Sequence, residues 1–141
     1  MKLDVSRVEV WSAKLQDKPG MLAGKLEALT QAGVNMDFLL CRRTKAHAGT
    51  VYVAPIHGPK QCAAAKKADF ARDEEVSVIR VVGPDKPGMS AAISHHLAVA
   101  GVNIAGVSTT SATGKKFIAY LAFDGPGDAT RAQKALSKMA D

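Results

Sequence analysis

The sequence lacks any long apolar run: no stretch of its 141 residues approaches the ~18 apolar residues of a membrane-spanning helix, so no membrane role is expected. Its opening, MKLDVSRVEVW, carries charge at Lys2, Asp4, Arg7 and Glu9 and offers no continuous apolar segment of the kind a secretory leader needs. Cysteine is scarce. Cys41 and Cys62 stand apart, with no CxxC or Cys/His cluster, which argues against a disulfide scaffold or a zinc site. They read as free thiols of a reducing compartment, the cytoplasm by default, and Cys41 as an inert, half-buried one despite Arg42 and Arg43 beside it. Aromatics make up only 5% of the chain, few for a nucleic-acid binder that stacks bases.

Catalytic signatures are also missing. There is no phosphate-binding glycine loop of either common type, and no pair of carboxylates at a spacing that suggests acid/base work. His95 and His96 are adjacent, so on a helix they point about 100° apart and cannot chelate one metal as an i, i+4 pair does. His47 and His57 have no nearby Asp, Cys or Ser in a triad-like arrangement. The run Thr109-Thr110-Ser111 offers hydroxyls, which a strand-to-turn transition explains equally well. The expectation is a non-enzyme with no catalytic residue, no metal and no cofactor.

What the chain does have is a 47% hydrophobic composition, enough for a substantial core, and a net charge of +6 with a pI near 9.5. The positive charge is scattered in short clusters at Arg42-Arg43-Lys45, Lys66-Lys67 and Lys115-Lys116 rather than gathered in one arm. Solvated surface charge is the first reading, and a nucleic-acid or phosphate-associated role is the alternative.

The strongest internal signal is a repeat. Asp17-Lys18-Pro19-Gly20-Met21 recurs 68 residues later as Asp85-Lys86-Pro87-Gly88-Met89, and Ala32-Gly33-Val34-Asn35 recurs as Ala100-Gly101-Val102-Asn103. Across residues 8–35 and 76–103 the same shift gives 13 identities in 28 positions without a gap. Tyr52 and Ala54 then meet Tyr120 and Ala122 in the same register. One module is written twice.

Each copy reads as β-α-β-β-α. In the first, an extended segment from Val8 to Leu15 ends at the DKPG turn, where Pro19 suits the first helical position and Asp17 is placed to cap the first-turn amides. Met21, Leu22, Leu26 and Leu29 follow at helical spacing until Gly33 ends the helix. Strands from Val34 to Leu40 and Thr50 to Ile56 flank a polar turn, and a helix runs from about Pro59 to Ala68. The second copy predicts a strand over 76–82, a helix over 87–100, strands over 102–109 and 117–123, and a helix over 128–139.

This order implies an α+β fold of the ferredoxin-like kind, an antiparallel sheet with helices on one face, divided into modules at 1–71 and 72–141. Each copy lacks the usual closing strand. The lead-ins, Leu3 to Ser6 and Arg72 to Val76, are expected to fill the vacant edges and join the copies into one continuous sheet.

The strand, D-K-P-G-M turn, helix and A-G-V-N sequence resembles the ACT domain, a regulatory module of amino-acid-controlled enzymes, and the chain looks closest to stand-alone tandem ACT proteins. The resemblance covers both copies. It implies a regulatory protein whose effector is a small amino acid held where modules meet, with a homodimer and a regulated enzyme or transcription partner as associates. A scaffolding role without ligand is the other possibility. Carried over by position, the resemblance implies a site at Leu15, Asp17, Pro19, Gly20, Met21 and Asn35 in copy one, and at Asp85, Pro87, Gly88, Met89 and Asn103 in copy two. Some serine-binding members carry a His where this chain has Leu15 and Gly83, so serine recognition by that route is not expected. The copies also differ at Leu22 and Leu26, which become Ser90 and Ser94, so the two sites are not equivalent.

Overall fold

Alternation of apolar and polar residues along Trp11-Ser12-Ala13-Lys14 places Trp11 and Ala13 in a core and leaves Lys14 in solvent, the pattern of a strand covered on one face. The computed structural model describes residues 2–112 and 115–139. In chain order its elements are β1 (Asp4–Val8), β2 (Trp11–Gln16), α1 (Met21–Thr30), β3 (Phe38–Lys45), β4 (Ala48–Ala54), α2 (Gly58–Lys67), β5 (Ala71–Arg72), β6 (Ser77–Pro84), α3 (Met89–Val99), β7 (Gly106–Ala112), β8 (Lys116–Phe123) and α4 (Pro126–Ser137). They form two compact units, Glu9–Asp73 in one and Met1–Val8 with Glu74–Asp141 in the other.

The α+β, ferredoxin-like class is observed, with every paired strand antiparallel. The expected continuous sheet is not. Among the described residues there are two four-stranded sheets, ordered β3-β4-β2-β5 and β1-β6-β8-β7. The first lead-in does fill an edge, while of the expected Arg72 to Val76 only Arg72 does, in the two-residue β5; each of these strands pairs on one side only and so ends a sheet. Ala71 and Arg72 pair with Ser12 and Trp11 to close the first sheet. Asp4–Val8 pairs with β6, from Asp4 opposite Val82 to Val8 opposite Val78, to close the second. Asp4–Val8, which a boundary at 71/72 puts in the first module, thus lies in the sheet of the second.

The repeat extends to single hydrogen bonds. Asp37 N–H donates to Ala54 C=O at 2.9 Å and Ala105 N–H to Ala122 C=O at 2.8 Å, again 68 residues apart. Both first helices end in a Schellman motif. Gly33, at φ 83°, bonds back to Thr30, and Val34 to Leu29; Gly101, at φ 73°, bonds to Ala98, and Val102 to Leu97. Val34 and Leu29 share the first core, and Val102 and Leu97 the second, which supplies the apolar contact that accompanies this cap.

That cap moves the following strands. Val34 and Val102 are drawn under the helix ends, so β3 begins at Phe38 rather than Val34 and β7 at Gly106 rather than Val102. The polar stretch after Leu40 is strand, not turn. β3 is an edge strand exposed along nearly its whole length, so its Arg and Lys residues face solvent, and the chain reverses through Ala46 and His47, the latter at φ 63°.

Candidate functional site

The two DKPG turns have the same construction. Asp17 N–H donates to His47 C=O at 3.0 Å and Asp85 N–H to Lys115 C=O at 3.4 Å, fastening each turn to the tip of its hairpin. Gly20 and Gly88 both adopt φ 88°, a left-handed conformation that favours glycine, and each precedes the first helical residue. The helices therefore begin at Met21 and Met89, two residues after the expected proline start. A left-handed residue cannot continue the helical path from Pro19 or Pro87. Neither Asp caps its helix by side chain; the carboxylate of Asp17 instead accepts from Nε of Arg43 on β3.

Around these turns Asp17, Pro19 and Gly20 are exposed, Leu15 and Met21 half-buried, and Asp85 half-buried beside exposed Pro87 and Gly88. Met89 differs from its counterpart Met21, being 2% exposed and part of the second core. Gly83 differs from Leu15 for a related reason. A Cβ at Gly83 would come 2.6 Å from Leu3 Cδ2 and 3.2 Å from Met89 Cε, so Leu3 and Met89 occupy the space that a side chain at position 83 would take.

Asn35 and Asn103 are exposed and lie at the far end of their units. β2 and β3 both run antiparallel to β4, so Trp11 and Phe38 flank Val53 and Ala54 at one end while Asp17 meets the hairpin tip at the other. Six residues of strand separate the two ends, roughly 20 Å. The second unit repeats this with Ile79, Gly106 and Leu121 at one end and Asp85 at the other. Within one unit, then, the structure brings the turn residues together and holds the Asn apart.

A cavity of about 210 Å³ opens in the second unit between α3 and β7-β8, lined by Ser90, Ile93, Ser94, Val107, Thr109, Phe117, Ala119 and Leu121. Its walls are apolar except for three hydroxyls. In the first unit Leu22 and Leu26 stand at the positions of Ser90 and Ser94 and pack on the core. The Leu-to-Ser exchange was visible in the repeat; the cavity floor was not, since Phe117 corresponds to Gly49 in the first copy and nothing local marks it as lining. A second, shallower groove of about 450 Å³ lies between α1 and α2, with Gln31, Lys60 and Lys67 among alanines.

Among the described residues no three or more His, Cys, Asp or Glu side chains gather as a metal site. No helix among them is long and apolar enough to cross a membrane. Cys41, expected half-buried, is exposed, because it sits on edge strand β3; Cys62 is half-buried. His96 Nδ1 lies 2.9 Å from the Ala92 carbonyl, and its ring meets His95 edge-on at 6.3 Å. Several basic groups are already engaged: Arg43 with Asp17, Arg72 with Glu9 at 3.2 Å, and Arg131 with Asp128 at 2.7 Å.

A family model described as an ACT domain matches residues 75–141. No curated protein matches the chain. Among solved structures, protein BT0572 from Bacteroides thetaiotaomicron is similar at a TM-score of 0.76 and 19% identity, over 96% of this chain and 99% of that one. The ligand-free regulatory subunit of aspartate kinase from Thermus thermophilus is similar at a TM-score of 0.67 and 14% identity, over 100% of this chain and 99% of that one. E. coli aspartokinase III in complex with lysine and aspartate is similar at a TM-score of 0.57 and 12% identity, over 99% of this chain and 33% of the enzyme. Such identities establish a shared fold. The second half thus matches an ACT domain, and the first half repeats it in sequence, turn geometry and hydrogen bonds, so the chain resembles two such domains in tandem.

Proposed function

We propose that the chain is a regulatory protein that binds a free amino acid near its DKPG turns and has no catalytic activity of its own. One observation carries the reading: two turns of identical backbone construction, each at the start of a helix, in a chain whose second half is an ACT domain. A zwitterionic ligand needs donors for its carboxylate and an acceptor for its ammonium. First-turn amides lacking intrahelical acceptors supply the former, and Asp17 or Asp85 the latter. Because Asn35 and Asn103 stand about 20 Å from the turns of their own units, a ligand that also meets an Asn takes it from a second copy of the chain, in a homodimer. Occupancy would then alter association, and so signal to a regulated enzyme or transcription factor in the cytoplasm.

The basic composition supports a nucleic-acid or phosphate reading less well, since Arg43 and Arg72 are held in ion pairs. The test is a thermal-shift screen of the intact chain against the twenty amino acids. A true effector at 100 times its Kd adds about 2.7 kcal/mol, which for a chain of this size raises the midpoint by roughly 5–10 °C. Asn35→Ala and Asn103→Ala should shrink that rise. If no amino acid moves the midpoint, the sensing reading fails and a scaffolding role replaces it; if one does but both Asn variants respond fully, the dimeric site is wrong.

A further inference from the structure

The second unit contains a cavity where the first contains leucine. Residues 22 and 26 of α1 and residues 90 and 94 of α3 occupy the same places in the repeated fold, related by the 68-residue shift. Leu22 and Leu26 lie against the first core, whereas Ser90 and Ser94 leave about 210 Å³ open over Ile93, Phe117, Ala119 and Leu121. Close packing is the norm in protein interiors, and a space bounded by well-packed apolar side chains lacks dispersion partners on its open side. The first unit indicates a chemistry suited to that space, because at the matching positions it carries leucines that pack against its core.

We infer that this cavity is the ligand site of the second unit and that it accepts an amino acid with an aliphatic side chain, of the leucine type, rather than a polar or charged one. The inference deepens the amino-acid-binding reading above and depends on it. Size agrees: at ~30 Å³ per water, the space holds the equivalent of about seven waters, room for the side chain and α-carbon of such a ligand. Charge agrees as well. No ionisable side chain lines the cavity, so a Lys-, Glu- or Asp-like group inside it would be desolvated without a partner, whereas an isobutyl group gains apolar contact.

The three hydroxyls orient the ligand. Thr109 on β7 and Ser90 on the first turn of α3 are both exposed, so they stand on the solvent side of the lining, while Ile93, Phe117 and Leu121 are buried. Ser94 Oγ donates to the Ser90 carbonyl at 2.8 Å and keeps its lone pairs for an ammonium donor. The apolar end therefore points inward and the zwitterionic end outward, beside the DKPG turn at residues 85–88. In the first unit Leu22 and Leu26 stand at the positions of Ser90 and Ser94 and pack against the core, so one ligand per chain is expected.

The experiment is isothermal titration of the full chain with L-leucine, with L-serine, L-lysine and L-aspartate as comparators. Leucine should bind with a stoichiometry of one per chain and at least tenfold more tightly than the other three. The double variant S90L/S94L rebuilds the filling of the first unit and should lose at least tenfold in leucine affinity while keeping its far-UV circular dichroism. Thr109→Val, nearly isosteric, should weaken binding by a smaller factor. Equal leucine affinity in S90L/S94L, or tighter binding of a charged amino acid, would overturn the inference. If binding survives S90L/S94L but is lost in Asn103→Ala, the general reading stands and this cavity is not its site; if no amino acid binds, both fall together.

Discussion

A chain from which residues 1–8 have been removed is expected to lose roughly 3–6 kcal/mol of stability in its second unit, the sum of one buried leucine and several ladder hydrogen bonds. β1 meets β6 across five residue pairs, Leu3 is 7% exposed, and Val5 packs on the same core. Full burial of a leucine side chain contributes about 1.5–3 kcal/mol, and each backbone hydrogen bond about 0.5–1.5 kcal/mol net. Removal also bares the outer edge of β6, an unpaired template for association with other chains. Urea titration followed by circular dichroism should show a lower midpoint, and light scattering a larger assembly. An unchanged midpoint would mean that β1 is not an integral strand of that sheet.

Replacing Leu97 by Ala is expected to cost about 2–5 kcal/mol, since a fully buried leucine is lost and the surrounding core relaxes only in part. Leu97 is 0% exposed and lies among Ile79, Ile93, Leu121 and Leu136. It also anchors the helix cap, as the Val102 amide bonds to its carbonyl at 2.9 Å. Leu29, its repeat partner, is likewise 0% exposed, and Leu29→Ala should cost a similar amount in the first unit. A measured loss below ~1 kcal/mol in either variant would place that side chain outside a close-packed core. Because natural domains hold only about 5–15 kcal/mol in total, either change uses a large fraction of the reserve.

The parts of this fold that were legible in the sequence are those where a backbone geometry demands a residue type. Gly33 and Gly101 mark helix ends because their φ values are positive, and the DKPG and AGVN identities mark the module period because each closes a turn built the same way twice. Helix starts were displaced for the same kind of reason: Gly20 and Gly88 are left-handed, which delays the helix beyond Pro19 and Pro87. The home of the first strand was not legible. β1 shows little alternation, with Asp4, Ser6 and Arg7 exposed, and nothing local says which of two similar sheets it joins. Its partner was chosen by shape, as Gly83 makes room for Leu3 where the first unit has Leu15.

For the site, the sequence indicated the turns and the Leu-to-Ser difference between copies. It did not indicate that Asp17 would be engaged by Arg43, or that Met89 would belong to the core. Both outcomes depend on strands far along the chain. The cavity lining has the same character, since the exposed Val107 and Thr109 come from β7 and the buried Phe117, Ala119 and Leu121 from β8, brought beside α3 only by the antiparallel register of Val107 with Leu121 and Thr109 with Ala119.

The most direct test of an amino-acid site in the second unit is an amide nitrogen–proton correlation spectrum of the intact chain, titrated with L-leucine. The predicted result is a saturable set of shifts concentrated at Ser90, Ile93 and Ser94 of α3, Val107 and Thr109 of β7, and Phe117 and Ala119 of β8, with little change at the matching positions Leu22, Leu26 and Leu39. A spectrum that stays unchanged to millimolar leucine, or one whose shifts fall in residues 9–73 instead, would contradict it.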